Sequence, residues 1–479
     1  MSGDFMSSHS NTPSVKVFFE PESVAIVGAS NTPGKFGYFL LKNLMDMGFK
    51  GRIYPVNPNL ETALGLKAFP TVNSIPYEVD LSVVVVPAIH VPEIMRDCAK
   101  KHVKGVVICS SGFRELGSEG ARREQEITGI ASESGMRVVG PNTTGTLNTA
   151  NNFTTTFIPI PKPKRGPVAF IAQTGLFAAA TLYWIISTQN FGLSKVAGLG
   201  NKSDVDDSDI LDYLAEDKET KVIAIYMEGI DKGRRFLETA EHVSKIKPLV
   251  ILKAGKSEAG VKAASSHTGS LSMNDRVFDA VCKRAGIVRV ENLEELIDMA
   301  KAFAYAPIPH GNRIAIISFT GAGGVMGADS CSRYGLSVID LSENTLTRLQ
   351  SNLPSWAKAG NPIDAEPLFE RVGAESSIRL SLEAALEDDR VDCVSLVLVS
   401  MPVFDFNIAG LISGFKLRYP EKPIVVHIIG LKESVDSHTR KLEEVEVPVY
   451  PSIERGIAAL SALYRYGQVQ RRKPIPHGS

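Results

Sequence analysis

His267 sits in a run of small and hydroxyl-bearing residues, Ala263-Ala264-Ser265-Ser266-His267-Thr268-Gly269-Ser270. Such neighbours leave an imidazole accessible and able to travel, whereas a core histidine has bulky apolar company. An accessible imidazole titrating near neutrality is a nucleophile that can take up a phosphoryl group and carry it elsewhere. On its own, a loop histidine is an ordinary surface residue. The chemistry also needs an acceptor that holds one ring nitrogen so that the other attacks. Glu228 is the best candidate: it follows the apolar run VIAIYM and so stands at the carboxyl edge of a buried strand, where ligands bind in parallel sheets.

Three glycine turns offer anion sites. The first, GASNTPGKFG, spaces Gly28, Gly34 and Gly37 more widely than the dinucleotide fingerprint, and Asn57 stands where that fingerprint needs an acid for a ribose diol. NAD therefore fits poorly, and a nucleotide with additional phosphates, such as coenzyme A, fits better, with Lys35 as a phosphate partner. A third strand ending at Val86-Pro87 would border the same crevice. The second and third turns, Gln173-Thr174-Gly175-Leu176 and Thr320-Gly321-Ala322-Gly323-Gly324, each join an apolar strand to a helix and present backbone N–H groups beside a hydroxyl. Neither carries Gly-Lys-Ser/Thr, so an ATP-binding P-loop is excluded.

The elements that must position these residues alternate strand and helix. Strand-like runs at Ser23–Val27, Arg52–Val56, Leu81–Val86, Gly105–Cys109 and Arg137–Val139 are separated by amphipathic stretches such as 91–102 and 119–134. A second alternating set has strands at 167–172, 195–199, 222–227 and 249–253, and a third has strands at 313–318, 393–399 and 423–428 before a closing helix near 453–466. Near-continuous apolar strands alternating with helices predict parallel sheets covered on both faces. The expected fold is α/β, with three tandem domains at 1–147, 148–306 and 307–479. The Thr-, Asn- and Pro-rich segment 148–165 reads as a linker.

Composition narrows the function. The 479 residues hold 52 Lys+Arg against 53 Asp+Glu, so no basic excess exists for sequence-independent nucleic-acid binding. No apolar run approaches the ~20 residues of a membrane span, and the polar N-terminus does not read as a signal peptide. Five scattered cysteines, with no CxxC and no Cys/His pair at ligand spacing, predict neither a zinc site nor a disulfide framework, and a cytoplasmic setting.

The motifs SVAIVGASNTPGKFG, SSGFRELGSEG, VVGPNTTGTLN, GLGNKSDVDDSDIL, IYMEGI, KAGKSEAGVKAASSHTGSLS, FTGAGGVMGADS and AGNPID, spread in this order over roughly residues 17–466, resemble the α subunit of ADP-forming (NDP-forming) acyl-CoA synthetases, relatives of succinyl-CoA synthetase. The resemblance implies a Rossmann-like CoA-binding domain followed by two flavodoxin-like CoA-ligase domains. It implies catalysis through an acyl phosphate and a phosphohistidine, His267, oriented by Glu228. Gly28, Ala29, Ser30 and Lys35 would form the CoA loop, with Ser111, Gly112, Pro141 and Asn142 lining the thiol and acyl pocket. Thr174, Gly175, Gly321, Gly323 and Gly324 would hold phosphate. No metal site is expected in the chain; Mg-ADP/ATP is expected on a partner ATP-grasp β subunit, in an α2β2 assembly acting on a small carboxylic acid. Departures include Thr174 and Leu176 where the family commonly has Ser and Ala, FTGAGGVMG where it has TNAGGPG and, near the acyl pocket, Phe177 and Thr143-Thr144, the latter where it has Cys-Leu. Those near the acyl pocket bear on acetate specificity, not on phosphoryl transfer. The competing readings are a non-catalytic CoA or acyl-CoA sensor and an oxidoreductase built on the first domain.

Overall fold

Strand Ser23–Val27 pairs in parallel with Arg52–Val56 on one side and Leu81–Val84 on the other, and the sheet continues through Gly105–Ile108 to Arg137–Val139. The apolar runs become central strands because both faces are covered: every residue of Ser23–Val27, Leu81–Val84 and Gly105–Ile108 is buried. Helices Phe36–Met47, Val91–Lys100 and Ser118–Ser134 follow the first, third and fourth of these strands in sequence. Helix Phe36–Met47 closes tightly on the sheet, since a Cβ on Gly37 would lie 1.9 Å from the Gly28 carbonyl oxygen, and the helix ends at Gly48 in the left-handed region (φ 81°).

The computed structural model describes residues 15–173, 175–262, 274–400 and 406–471. It divides into two compact units, Met1–Ala285 and Gly286–Ser479. The first unit holds the sheet above and a second one, in which Leu249–Lys253, Val222–Met227, Arg165–Ala172 and Leu193–Gly198 run parallel, and Thr146–Asn148 and Phe153–Thr154 add antiparallel. The segment expected as a linker is thus built into this sheet at both ends, while its residues 155–164 form neither helix nor strand. Its threonines are buried yet satisfied: Thr146 Oγ1 donates to the Phe18 carbonyl, Thr156 Oγ1 to Thr144, and the Thr155 hydroxyl accepts from Thr146 N. Within the described residues of the second unit, a parallel sheet runs Ser337–Val338, Arg313–Ser318, Cys393–Ser400, Ile424–Gly430, Val449–Tyr450, with Ile363–Asp364 also on Arg313–Ser318. Helix Leu293–Tyr305 belongs to this unit, tied by Asp298 to Arg455 and by Lys301 to Glu443 at 2.8 Å. Among the described residues, no helix is long and apolar enough to cross a membrane.

Candidate active site

The first glycine turn lies at the carboxyl edge of the first sheet. Gly28 adopts φ 94°, and a Cβ there would meet Val85 O and Val86 Cγ1 at 2.9 Å, so the turn seats directly on the third strand's end. Asn57, the residue in the acid's place, fastens backbone instead. Its Nδ2 donates to Ala29 O at 2.8 Å and its Oδ1 accepts from Asn59 N at 2.9 Å. It pins the turn to the second strand's end and presents no carboxylate to a ribose. Ser30 is buried and accepts from Thr32 N at 3.1 Å. Lys35 is exposed and occupies the N-cap of helix Phe36–Met47, with no side chain capping the helix start. An exposed cation beside an uncapped helix N-terminus fits a phosphate-bearing ligand.

Along the same edge, Ser110 Oγ donates to the Val86 carbonyl, joining the third and fourth strand ends beside Pro87. Ser111 is exposed. Gly112 (φ 110°) is buried, and a Cβ on it would meet Ala88 Cβ at 2.8 Å. Glu115 holds this turn: its Oε1 accepts from Gly112 N at 2.6 Å and Phe113 N at 3.1 Å. After the fifth strand, the Gly140–Pro141 peptide is cis and Asn142 takes φ 60° while donating its N–H to Ser110 O at 2.9 Å. Ser30, Ser111, Gly112 and Asn142 therefore stand on one edge with the glycine turn.

The second sheet meets that edge through residues 199–203. Asn201 N donates to Pro141 O at 2.9 Å, and a Cβ on Gly200 would lie 2.1 Å from the same oxygen. The Asn201 amide donates to Glu115 Oε2 at 2.8 Å and Glu124 Oε2 at 3.0 Å. Burial pushes both carboxyls upward. At Glu115, bonds from Asn201, Gly112 and Phe113 outweigh burial and leave the group below its ordinary value, whereas at Glu124 burial wins and the group is raised. Thr143 and Thr144 are buried; Thr143 Oγ1 donates to Gly198 O at 2.6 Å, and both hydroxyls crowd the space a Gly198 Cβ would need. They fasten the loop to the second sheet.

Glu228 caps strand Val222–Met227 and is 6% exposed. Tyr226 donates its hydroxyl to Glu228 Oε1 at 3.2 Å, and burial, reinforced by this carboxylate, pushes the phenol well above its ordinary range. Gln173, the last residue before the second glycine turn, accepts from Glu228 N and Gly229 N at 2.8 and 3.0 Å. Gly175 begins helix Gly175–Thr188 shortly after it. Lys202 donates to Gly229 O at 2.7 Å and pairs with Asp207 at 2.8 Å. Thus the structure brings Glu228 and the helix start at Gly175 to one edge, linked through residues 199–203 to the Gly112 and Asn142 turns. His267 and Thr174 lie outside the described residues. Gly321, Gly323 and Gly324 belong to the second unit, where Thr320 caps helix Gly321–Tyr334 by accepting from Gly323 N at 3.0 Å, and Gly324 N bonds to Thr320 O at 3.3 Å. Two of these three amides are therefore engaged within the turn, which leaves Gly321 at the outer end. Gln173, Asn201 and Lys202 do not stand out in the sequence, although Asn201 and Lys202 lie in the motif GLGNKSDVDDSDIL and Gln173 opens the second glycine turn; left-handed Lys202 (φ 54°) has no signature in residue type.

The glycine turn, the buried acid at a second sheet edge and the further α/β unit accord with the class that the comparisons show, an acyl-CoA ligase. The CoA binding domain matches residues 22–149, the succinyl-CoA ligase like flavodoxin domain 165–303 and the ligase-CoA domain 314–474. The chain is 42% identical to acetate–CoA ligase (ADP-forming) II of Archaeoglobus fulgidus, over 95% of its own length and 67% of that protein's. It is 39% identical to the α subunit of acetate–CoA ligase (ADP-forming) I of Pyrococcus furiosus, over 95% and 98% of the two chains. A solved structure of the dinucleotide forming acetyl-coenzyme A synthetase 1 of Ca. Korarchaeum cryptofilum, in complex with phosphate and ADP, matches with a TM-score of 0.88 and 34% identity, over 96% of this chain and 98% of that one. The chain belongs to the family of ADP-forming acetate–CoA ligase α subunits, and the catalytic reading displaces the sensor.

Proposed function

We propose that this chain performs the acyl-transfer and first phosphoryl-transfer steps of a reversible synthetase for a small carboxylic acid. Coenzyme A occupies the first glycine turn, with Gly28, Ala29, Ser30, Lys35, Asn57, Val86 and Pro87 around it and its thiol end toward Ser111, Gly112 and Asn142. A phosphate oxygen attacks the thioester carbonyl, the C–S bond breaks, and CoA leaves with the proton as its thiol. His267 then attacks the phosphorus of the acyl phosphate, the P–O bond to the acyl group breaks, and the carboxylate departs. Glu228 accepts the N–H of the other imidazole nitrogen and stabilises the cation that forms. The helix starts at Thr174-Gly175 and Gly321-Gly324 neutralise phosphate charge. The phosphoryl group passes to ADP, held with Mg²⁺ on an ATP-grasp partner subunit in an α2β2 assembly in the cytoplasm.

The observation that carries this reading is Glu228: a buried carboxylate that accepts the Tyr226 hydroxyl, on a backbone held by Gln173 and Lys202 at a sheet edge, beside a helix N-terminus in the same unit. Incubation of the purified chain with acetyl phosphate, followed by intact mass, tests it. The expected result is one acid-labile phosphoryl group, absent from His267→Ala and slow to form in Glu228→Gln with CoA binding intact. Phosphorylation that persists in His267→Ala overturns the assignment. Clear CoA binding with no phosphoryl gain, even with the partner subunit present, restores the sensor reading.

A further inference from the structure

The geometry points to Gln173 and Lys202 as positioning residues of this reaction: Gln173 holds the N–H groups of the two peptides that flank the Glu228 Cα, Lys202 holds the carbonyl of the next peptide, and together they fix the direction in which Glu228 leaves the backbone. Gln173 is 2% exposed, and its single Oε1 accepts both N–H groups, at 2.8 Å from Glu228 and 3.0 Å from Gly229. Lys202 Nζ reaches Gly229 O at 2.7 Å. With one group of each of three successive peptides engaged, the backbone on both sides of the Glu228 Cα is held, and with it the Cα–Cβ bond of Glu228. Tyr226 then holds the carboxylate at Oε1.

Three further features mark the clamp as built. The Lys202–Asp207 pair, 2.8 Å apart with side chains 2% and 5% exposed, places a whole ion pair out of water beside the site; its Coulombic gain barely offsets desolvation, so stability alone is a weak reason for it. Lys202 also adopts φ 54°, a left-handed conformation that is strained for a residue with a Cβ and persists only where surroundings over-determine it. That surrounding is the 199–203 turn, whose Gly200 packs on Pro141 O. Finally, Gln173 supplies an acceptor without charge. A carboxylate there would hold the same amides but add a second anion where phosphate must come. Neither side chain touches the reacting atoms, and their role rests on the one proposed for Glu228.

The test uses the full chain assembled with its ATP-grasp partner, and reads phosphoryl uptake from acetyl phosphate, CoA affinity by calorimetry and Tm. Gln173→Leu and Lys202→Met should each slow phosphoryl uptake by about 10²-fold, the loss that a misplacement of about 1 Å produces, with CoA affinity within twofold. The neutral pair Lys202→Gln/Asp207→Asn restores a donor toward Gly229 O without a buried charge, and should recover at least about tenfold of the rate lost in Lys202→Met. Wild-type rates in folded Gln173→Leu overturn the inference. Parallel loss of rate, CoA affinity and Tm in Gln173→Leu also overturns it, because the residue would then support the fold alone. If Lys202→Met fails to fold, Gln173→Leu and the neutral pair still decide. If the wild-type assembly takes up no phosphoryl group, the reading of Glu228 itself fails, an outcome distinct from wild-type uptake unchanged in the variants.

Discussion

Gly37→Ala should separate the position of a helix from the integrity of the fold. A Cβ at residue 37 would stand 1.9 Å from the Gly28 carbonyl oxygen and 3.1 Å from Ala29 Cα, whereas ordinary contact begins near 3.4 Å. The obstacle is backbone, so no side chain can swing aside; the start of helix Phe36–Met47 must retreat by about 1.5 Å from the turn. An N–H bonded to a phosphate oxygen at about 2.9 Å is no longer bonded after a shift of that size. Losing one bond to a charged acceptor costs about 1.5–3 kcal/mol, so CoA should bind roughly 10- to 150-fold more weakly. The overpacking itself should remove about 1–3 kcal/mol of stability. Gly48→Ala is the control: at φ 81° with nothing within 4 Å, it strains the far end of the same helix without moving its start. Calorimetry with CoA and urea unfolding on both variants decides. CoA affinity within twofold of wild type in a folded Gly37→Ala protein would refute the idea that this helix start holds the ligand.

Arg137→Met should lower unfolding stability by about 1.5–3 kcal/mol in a denaturant titration, because it removes the charged bonds to Asp204 at 2.9 Å, while Asp209, 3.4 Å from Arg137, keeps Arg235 at 2.8 Å. The Asp392 carboxyl is pushed up by burial but held below its ordinary 3.8 by the Arg313 guanidinium and N–H, so the stability it provides is present above that value and lost as pH falls through its folded pKa. Asp392→Asn should therefore be less stable than wild type at neutral pH and should lose less stability than wild type on acidification below about pH 4. Burial raises the thiols of Cys98 and Cys331 to about 12, so neither should react with a thiol reagent at about pH 8 until the chain unfolds; rapid native labelling at either position would contradict their burial.

The strands were legible because their signal is local. Ser23–Val27, Arg52–Val56, Val222–Met227, Leu249–Lys253 and Arg313–Ser318 appear where apolar, β-branched runs place them. The 146–156 hairpin escaped because its alternation is hidden: threonines replace aliphatic residues, and they are buried only because backbone carbonyls from distant segments accept their hydroxyls. Asn57 was legible as a missing acid but not as the fastener of Ala29, since its partner comes from another strand. The glycine turns and Glu228 announce themselves through position at strand ends. Gln173, Asn201 and Lys202 do not, because each acts through a contact between loops that only the folded sheets bring together.

Helix Leu293–Tyr305 has a practical bearing on dissecting the chain. Asp298 meets Arg455, Lys301 meets Glu443 and the Val449 carbonyl, and Phe303 packs edge-on against Tyr466. All these partners come from the last thirty-seven residues or so of the polypeptide. A gene fragment stopped at 303, where the matched flavodoxin-like domain ends, would carry away a helix whose aspartate and lysine had lost their counter-ions and would leave a buried glutamate behind in the other piece. Ending the first fragment at Ala285 instead keeps every one of these pairs together in the second. By charge pairing alone, then, the place to divide the chain lies about eighteen residues upstream of the boundary that family matching would recommend.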